Sequence, residues 1–156
     1  MTELLLFTDG SVNTRSGVGY GAYLAVEDRD LPMEAHRNNV KLKRFESTSS
    51  TKLELQTLLW ALSELQAPGR RVIVHTDSQN ITGLQRRRGR LEKNDFRSKG
   101  GKRLNNYELY QEFYRVIDSL DCEIIQVRGH RPSKDKDALD NFFTLVDRAS
   151  RNALRT

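Results

Sequence analysis

The chain has 156 residues, a net charge of +5 and an isoelectric point near 9.5. Hydrophobic residues make up 37% of it, enough for one folded domain over 1–156 and too many for a disordered chain. No apolar run approaches the roughly 20 residues that span a bilayer. No basic segment precedes the N-terminal apolar run as it would in a signal peptide, and the one cysteine, Cys122, excludes an internal disulfide and a cysteine metal cluster. These features point to the cytoplasm, and the basic balance points to a polyanionic partner.

Leu4-Leu5-Leu6-Phe7 reads as a strand buried on both faces, ending in Thr8-Asp9-Gly10-Ser11. A buried strand would hold the Asp9 carboxylate rigidly, and Gly10 lets another group approach closely; a plain Asp-Gly turn is the alternative. Gly17, Gly19 and Gly21 alternate in the next segment without the pattern of a phosphate-cradling loop, so Gly19 to Val26 reads as a second strand. Residues 33–45, with Val40, Leu42 and Phe45, read as a third extended segment completing an antiparallel meander.

The period then changes. Leu55, Leu58, Leu59, Leu62 and Leu65 recur at helical spacing, with Ser49, Ser50 and Thr51 as candidate N-caps and Pro68-Gly69 as the stop. Glu54 lies in the first turn, where Thr51-x-x-Glu54 is also readable as a capping box. Arg71 to Thr76 is a fourth strand, flanked by helices and therefore parallel to its neighbour and interior. It runs into Thr76-Asp77-Ser78-Gln79, repeating the strand-acid-hydroxyl order of Asp9, although Asp77 also fits as a helix cap.

Arg86, Arg87, Arg88, Arg90, Lys93, Arg97, Lys99, Lys102 and Arg103 follow, opposed only by Glu92 and Asp95. Gly89, Gly100 and Gly101 argue against one long helix. The run reads as a solvated loop or as a footprint for a nucleic-acid backbone. Asn105 or Asn106 opens a helix with core positions Leu109, Phe113, Val116, Ile117 and Leu120. Cys122 to Val127 is a fifth strand, followed by Arg128-Gly129-His130. A last helix carries Leu139, Phe142, Phe143, Val146, Ala149 and Ala153, with Asp147 inside it.

Three of the acids Asp9, Glu54, Asp77 and Asp147 sit at ends or first turns of buried elements. Clustered carboxylates repel, which raises their pKa values and destabilises the fold. A divalent cation resolves the conflict, and oxygen-only ligands suit Mg²⁺ or Mn²⁺ rather than zinc. Two such ions about 4 Å apart activate water and stabilise the leaving oxygen in phosphodiester cleavage.

Thr8-Asp9-Gly10-Ser11, Glu54 in a leucine-rich helix, Thr76-Asp77-Ser78-Gln79, Val127-Arg128-Gly129-His130 and Asp147-Arg148-Ala149-Ser150 occur in that order. Together with Gly19-Tyr20-Gly21-Ala22 they span nearly the whole chain, and the chain resembles type 1 ribonuclease H. The resemblance implies a ribonuclease H-like α/β fold with a five-stranded mixed sheet, order 3-2-1-4-5, flanked by helices. It implies Mg²⁺-dependent hydrolysis of the RNA strand of an RNA–DNA hybrid, with 5′-phosphate and 3′-hydroxyl products. Asp9, Glu54, Asp77 and Asp147 would hold two Mg²⁺ ions, with Mn²⁺ able to substitute. His130 would assist proton transfer or product release, as an imidazole titrating near neutrality can. Substrate contacts would fall to Gly10, Ser11, Asn13, Ser49, Ser50, Thr51, Gln79, Arg86, Arg87 and Arg88, in a monomer.

Three features depart from that family. Ser50 and Thr51 stand where many members have an asparagine pair that reads RNA 2′-hydroxyls. The stretch from Asp77 to Gly89 is short and lacks a tryptophan. His130 and Asp147 are 17 positions apart, with Asp137 and Asp140 between them, so Asp140 is a reserve candidate for the fourth ligand. A structure-specific nuclease acting on DNA or double-stranded RNA, and a non-catalytic nucleic-acid-binding module, are the alternative readings. The intact carboxylate set argues against the second, since a binder gains nothing from acids facing phosphates.

Overall fold

A computed structural model describes residues 3–65, 69–127 and 137–156. Five strands form one sheet: β1 Leu4–Asn13, β2 Val18–Val26, β3 Lys41–Phe45, β4 Val72–Thr76 and β5 Cys122–Gln126. Their order across the sheet is β3-β2-β1-β4-β5, as expected. β1 pairs antiparallel with β2 over its length, Asp9 lying opposite Ala22. It pairs parallel with β4 from Leu4 to Phe7, and residues 8–13 have no strand partner on that side among the described residues.

Six helices complete the described fold: α1 Met33–Asn38, α2 Ser50–Glu64, α3 Gln79–Thr82, α4 Leu84–Lys93, α5 Tyr107–Asp118 and α6 Ala138–Arg155. Alternation along β1 splits the core in two. Leu4 and Leu6, with Val72 and Val74 of β4, bury against Leu55, Leu58 and Leu62 of α2 and Phe113 and Ile117 of α5. Leu5 and Phe7, with Ala22 and Leu24, bury against Phe142, Leu145 and Val146 of α6. Each of these Val, Leu, Ile and Phe side chains contributes roughly 1.5–3 kcal/mol when fully buried.

The alternating glycines have a packing reason. A Cβ on Gly21 would lie 2.2 Å from Thr57 Oγ1, and one on Gly19 would lie 2.8 Å from Leu53 Cδ2. Their absence lets α2 lie close on the sheet, which brings its first turn toward the end of β1.

Four readings need correction. Residues 33–45 are not one extended segment. Pro32 sets φ at −58° and the following Met33, Glu34 and Ala35 favour a helical turn, so α1 forms before β3 begins at Lys41. Thr51 and Glu54 do not make a capping box. Ser49 is the N-cap of α2, its hydroxyl accepting from Lys52 N, which leaves the Glu54 carboxylate uncommitted to the helix start. Gly89 does not break the basic run either: α4 passes through it because Leu84 and Leu91 anchor the helix in the core. Asp77 likewise does not cap α3; Ser78 does, accepting from Ile81 N at 3.2 Å.

Candidate active site

Asp9 and Asp77 leave the sheet at the same end, from the adjacent strands β1 and β4, and Glu54 reaches them from the first turns of α2. One carboxylate oxygen from each lies within 4.8 Å of the other two. Asp9 is 5% exposed at the side of a rigid strand, with Phe7 stacked on His75 at 4.6 Å in the layer below. Glu54 Oε2 is buried and finds no hydrogen-bond partner.

The electrostatics follow from that geometry. Burial, then the charges of Asp77 and Glu54, push the Asp9 carboxyl up from 3.8 to about 9. Burial and the Asp77 charge push Glu54 up from 4.5 to about 8. An orphaned buried carboxylate oxygen and two acids that resist ionisation describe a site that is incomplete without a cation. Three convergent oxygens, with neither thiolate nor imidazole among them, suit a hard divalent ion.

Asp147 comes from the other face. It lies on the α6 turn that passes the end of β1, and its carboxyl shares a hydrogen bond with Asp9. Its other partner is Arg151, one helical turn on, at 3.0 Å. The same turn is fastened to β1 by Ser150, which is fully buried and whose Oγ lies 3.1 Å from Ser11 Oγ. Ser150 was not a sequence candidate. Its signal was its place three residues beyond Asp147, on the helix side that faces β1.

The proposed substrate contacts divide into groups. Gly10, Ser11 and Ser50 line one groove of about 400 Å³ together with Glu54. Asn13 instead closes the β1–β2 hairpin, its Oδ1 accepting from the backbone N–H groups of Arg15 and Ser16. Ser49 caps α2, Thr51 is exposed in its first turn, and Gln79 is exposed at the start of α3. Arg87 is bonded to Asn80 O and Oδ1, both at 2.8 Å. Arg88 makes a two-pronged pair with Asp118 at 2.7 Å and 2.7 Å and a third bond to Glu92. Arg86 is exposed on α4. Asp140 forms the capping box of α6 with Asp137. His130 lies outside the described residues.

The five-stranded order, the helices on both faces and a carboxylate cluster at the end of the two central strands define a class of metal-dependent phosphodiester hydrolases. The comparisons give the family. The RNase H family model matches residues 1–153, and the chain belongs to that family. A Ribonuclease H from Treponema denticola is 27% identical over 88% of this chain and 92% of its own length. A Ribonuclease H from Xanthomonas campestris pv. campestris is 24% identical, covering 100% of this chain and 99% of its own. The solution structure of the PFV RNase H domain superposes with a TM-score of 0.76 at 16% identity, over 97% of this chain and 94% of that one, which shows the shared fold.

Proposed function

We propose that this chain is an endoribonuclease that hydrolyses the RNA strand of RNA–DNA hybrids, leaving 5′-phosphate and 3′-hydroxyl ends. The observation that carries this reading is the convergence of Asp9, Glu54 and Asp77 within 4.8 Å, two of them with raised pKa values. The named relatives are ribonucleases H, which supports the hybrid as substrate.

Asp9, Glu54, Asp77 and Asp147 would hold two Mg²⁺ ions. When bound, those ions supply charge neutralisation at the phosphate and a water of lowered pKa. The protein's part is placement. Asp9 is fixed within β1 and Asp77 follows directly on β4, so the two carboxylates are placed before charge develops. Glu54 is carried in by α2, and Asp147 by α6. Asp147 lies beside Asp9, with Arg151 at 3.0 Å on its other side, so it would be the fourth carboxylate available to the ions. His130 accepts or delivers a proton, or speeds product departure, from the segment after β5. Ser50 and Thr51 hydroxyls would meet RNA 2′-hydroxyls at the N-terminus of α2. The single cysteine supports a reducing compartment, and we place the protein in the cytoplasm.

The test compares cleavage of a hybrid, a DNA duplex and an RNA duplex of one sequence, with Mg²⁺ at one salt concentration. Cutting confined to the RNA strand of the hybrid is the expected result. Cutting of the DNA duplex at a similar rate would overturn the substrate, and no cutting of any duplex would overturn the enzyme.

A further inference from the structure

Beyond Phe7, β1 has no strand on its β4 side among the described residues, and every second residue there turns its backbone N–H and C=O outward. The groove that holds Gly10, Ser11 and Ser50 runs along this free edge. Its floor is Gly10 to Val12; one wall is Ser50, Leu53 and Glu54 of α2, and the other is Arg151, Leu154 and Arg155 of α6. It is continuous with the carboxylate cluster through Glu54.

The α6 wall has a repeat. Asp147, Arg151 and Arg155 are spaced four apart and fall on one helix face. At the rise of an α-helix, Arg151 stands about 6 Å and Arg155 about 12 Å beyond Asp147 along the axis. Arg151 already faces the site, since its Nε is 3.0 Å from Asp147. Arg155 makes no ion pair among the described residues and is exposed at the far end of the groove. A groove with the Ser11 hydroxyl on its strand-edge floor, the Ser50 hydroxyl on one side and two guanidiniums on the other complements an extended polyanion carrying 2′-hydroxyls.

We propose that Arg151 and Arg155 grip the backbone phosphates of the RNA strand next to the one being cut, so that α6 serves as a second substrate wall. The proposal rests on the hybrid reading above. Arg155 is a binding residue only. Arg151 has two roles: it pairs with Asp147 here, and it would be free to meet a phosphate were Asp147 to serve as a metal ligand. A guanidinium matches a phosphate with two parallel hydrogen bonds, so lysine is a poor replacement.

The test uses the whole protein. Binding of a hybrid is measured in EDTA, where no cutting occurs, for wild type, Arg155→Gln and Arg155→Lys. A series of hybrids follows, each with one uncharged methylphosphonate linkage in the RNA strand. Arg155→Gln should weaken binding about tenfold and lower the salt slope by about one contact. One methylphosphonate position should weaken wild type and leave Arg155→Gln unaffected, because the lost contact is the same. With Mg²⁺, Arg155→Gln should raise KM about as much and leave kcat unchanged. Equal binding by wild type and Arg155→Gln, or a methylphosphonate profile identical in both, would overturn the grip. The hybrid reading fails separately: wild type then cuts the DNA duplex as fast as the hybrid. In that case the RNA strand is no longer the occupant and the proposal falls with it.

Discussion

The chain carries two dense groups of charge, and they are built in opposite ways. On α4 and the loop after it, four of the bases are met by acids or carbonyls. Arg88 holds Asp118 and Glu92, Arg87 holds Asn80, and Arg97 and Arg103 both reach Asp95, at 3.5 Å and 2.9 Å. At the end of β1, acids are gathered against acids. The first arrangement is what folding produces when it minimises electrostatic free energy. The second persists only because two interior strands and a tightly packed helix overrule repulsion. Like charges converged by elements far apart in sequence are therefore the signal of a site, and a run of charge along the sequence is not.

The sharpest way to break that comparison is to remove an acid. Asp77→Asn keeps the shape of the side chain and removes one ligand charge. Cleavage of a hybrid with Mg²⁺ should fall on the order of a thousandfold, about 4 kcal/mol of transition-state stabilisation, while the circular dichroism spectrum is unchanged. Turnover near that of wild type would take Asp77 out of the site. His130→Ala should act more mildly. A loss of about ten- to a hundredfold in kcat with KM little altered is expected for a proton carrier, and an unchanged kcat would make His130 a bystander.

The same repulsion predicts a stability effect without metal. In the unfolded chain Asp9 and Glu54 lose their protons near their ordinary values of 3.8 and 4.5; in the fold they keep them to about 9 and 8. The folded state then binds more protons between these limits, so stability falls as pH rises through that window. Asp9→Asn removes the larger part of the slope. At pH 9 in EDTA it should melt above wild type by about 1–3 kcal/mol, at roughly 2–4 °C for each kcal/mol in a domain of this size. At pH 4 the difference should vanish. Added Mg²⁺ should raise the wild-type Tm at pH 9 and leave Asp9→Asn nearly unmoved. A variant that melts below wild type at pH 9 would mean that the acids do not repel there.

What was legible in the sequence were the elements whose local pattern and tertiary role agree. Leu4 to Phe7 and Val72 to Val74 read as interior strands because both faces are buried. Asp9 and Asp77 were legible because each ends such a run. α1 was not legible, since its six residues have no apolar stripe and only Pro32 announces them. α4 was misread because Gly89 outweighed two widely spaced leucines, whose burial depends on α5 and the sheet. The α6 wall was missed for a different reason: Arg151 and Arg155 matter only relative to a strand edge that β4 leaves uncovered, a fact of pairing register rather than of composition.

The smallest effects separate the arginines of α4 from one another. Neutralising Arg86, Arg87 and Arg88 together confounds binding with folding, because two of the three have structural partners. Arg88 sits over the Tyr114 ring at 4.8 Å while it holds Asp118, with a side-chain exposure of 32%. Arg88→Gln should therefore lower stability by about 0.5–1 kcal/mol, the range of a well-aligned surface pair. It should leave the salt dependence of hybrid binding almost as in wild type. Arg86 makes no ion pair among the described residues, so Arg86→Gln should leave Tm alone and reduce the salt slope by about 0.9 if it meets a phosphate. A titration of hybrid binding in EDTA, run beside thermal melts, reads both quantities for each variant. If Arg88→Gln flattens the slope and Arg86→Gln does not, the paired arginine is the one that reaches the substrate. The reading that the paired arginines of α4 are structural would then fail on the segment where it is easiest to check.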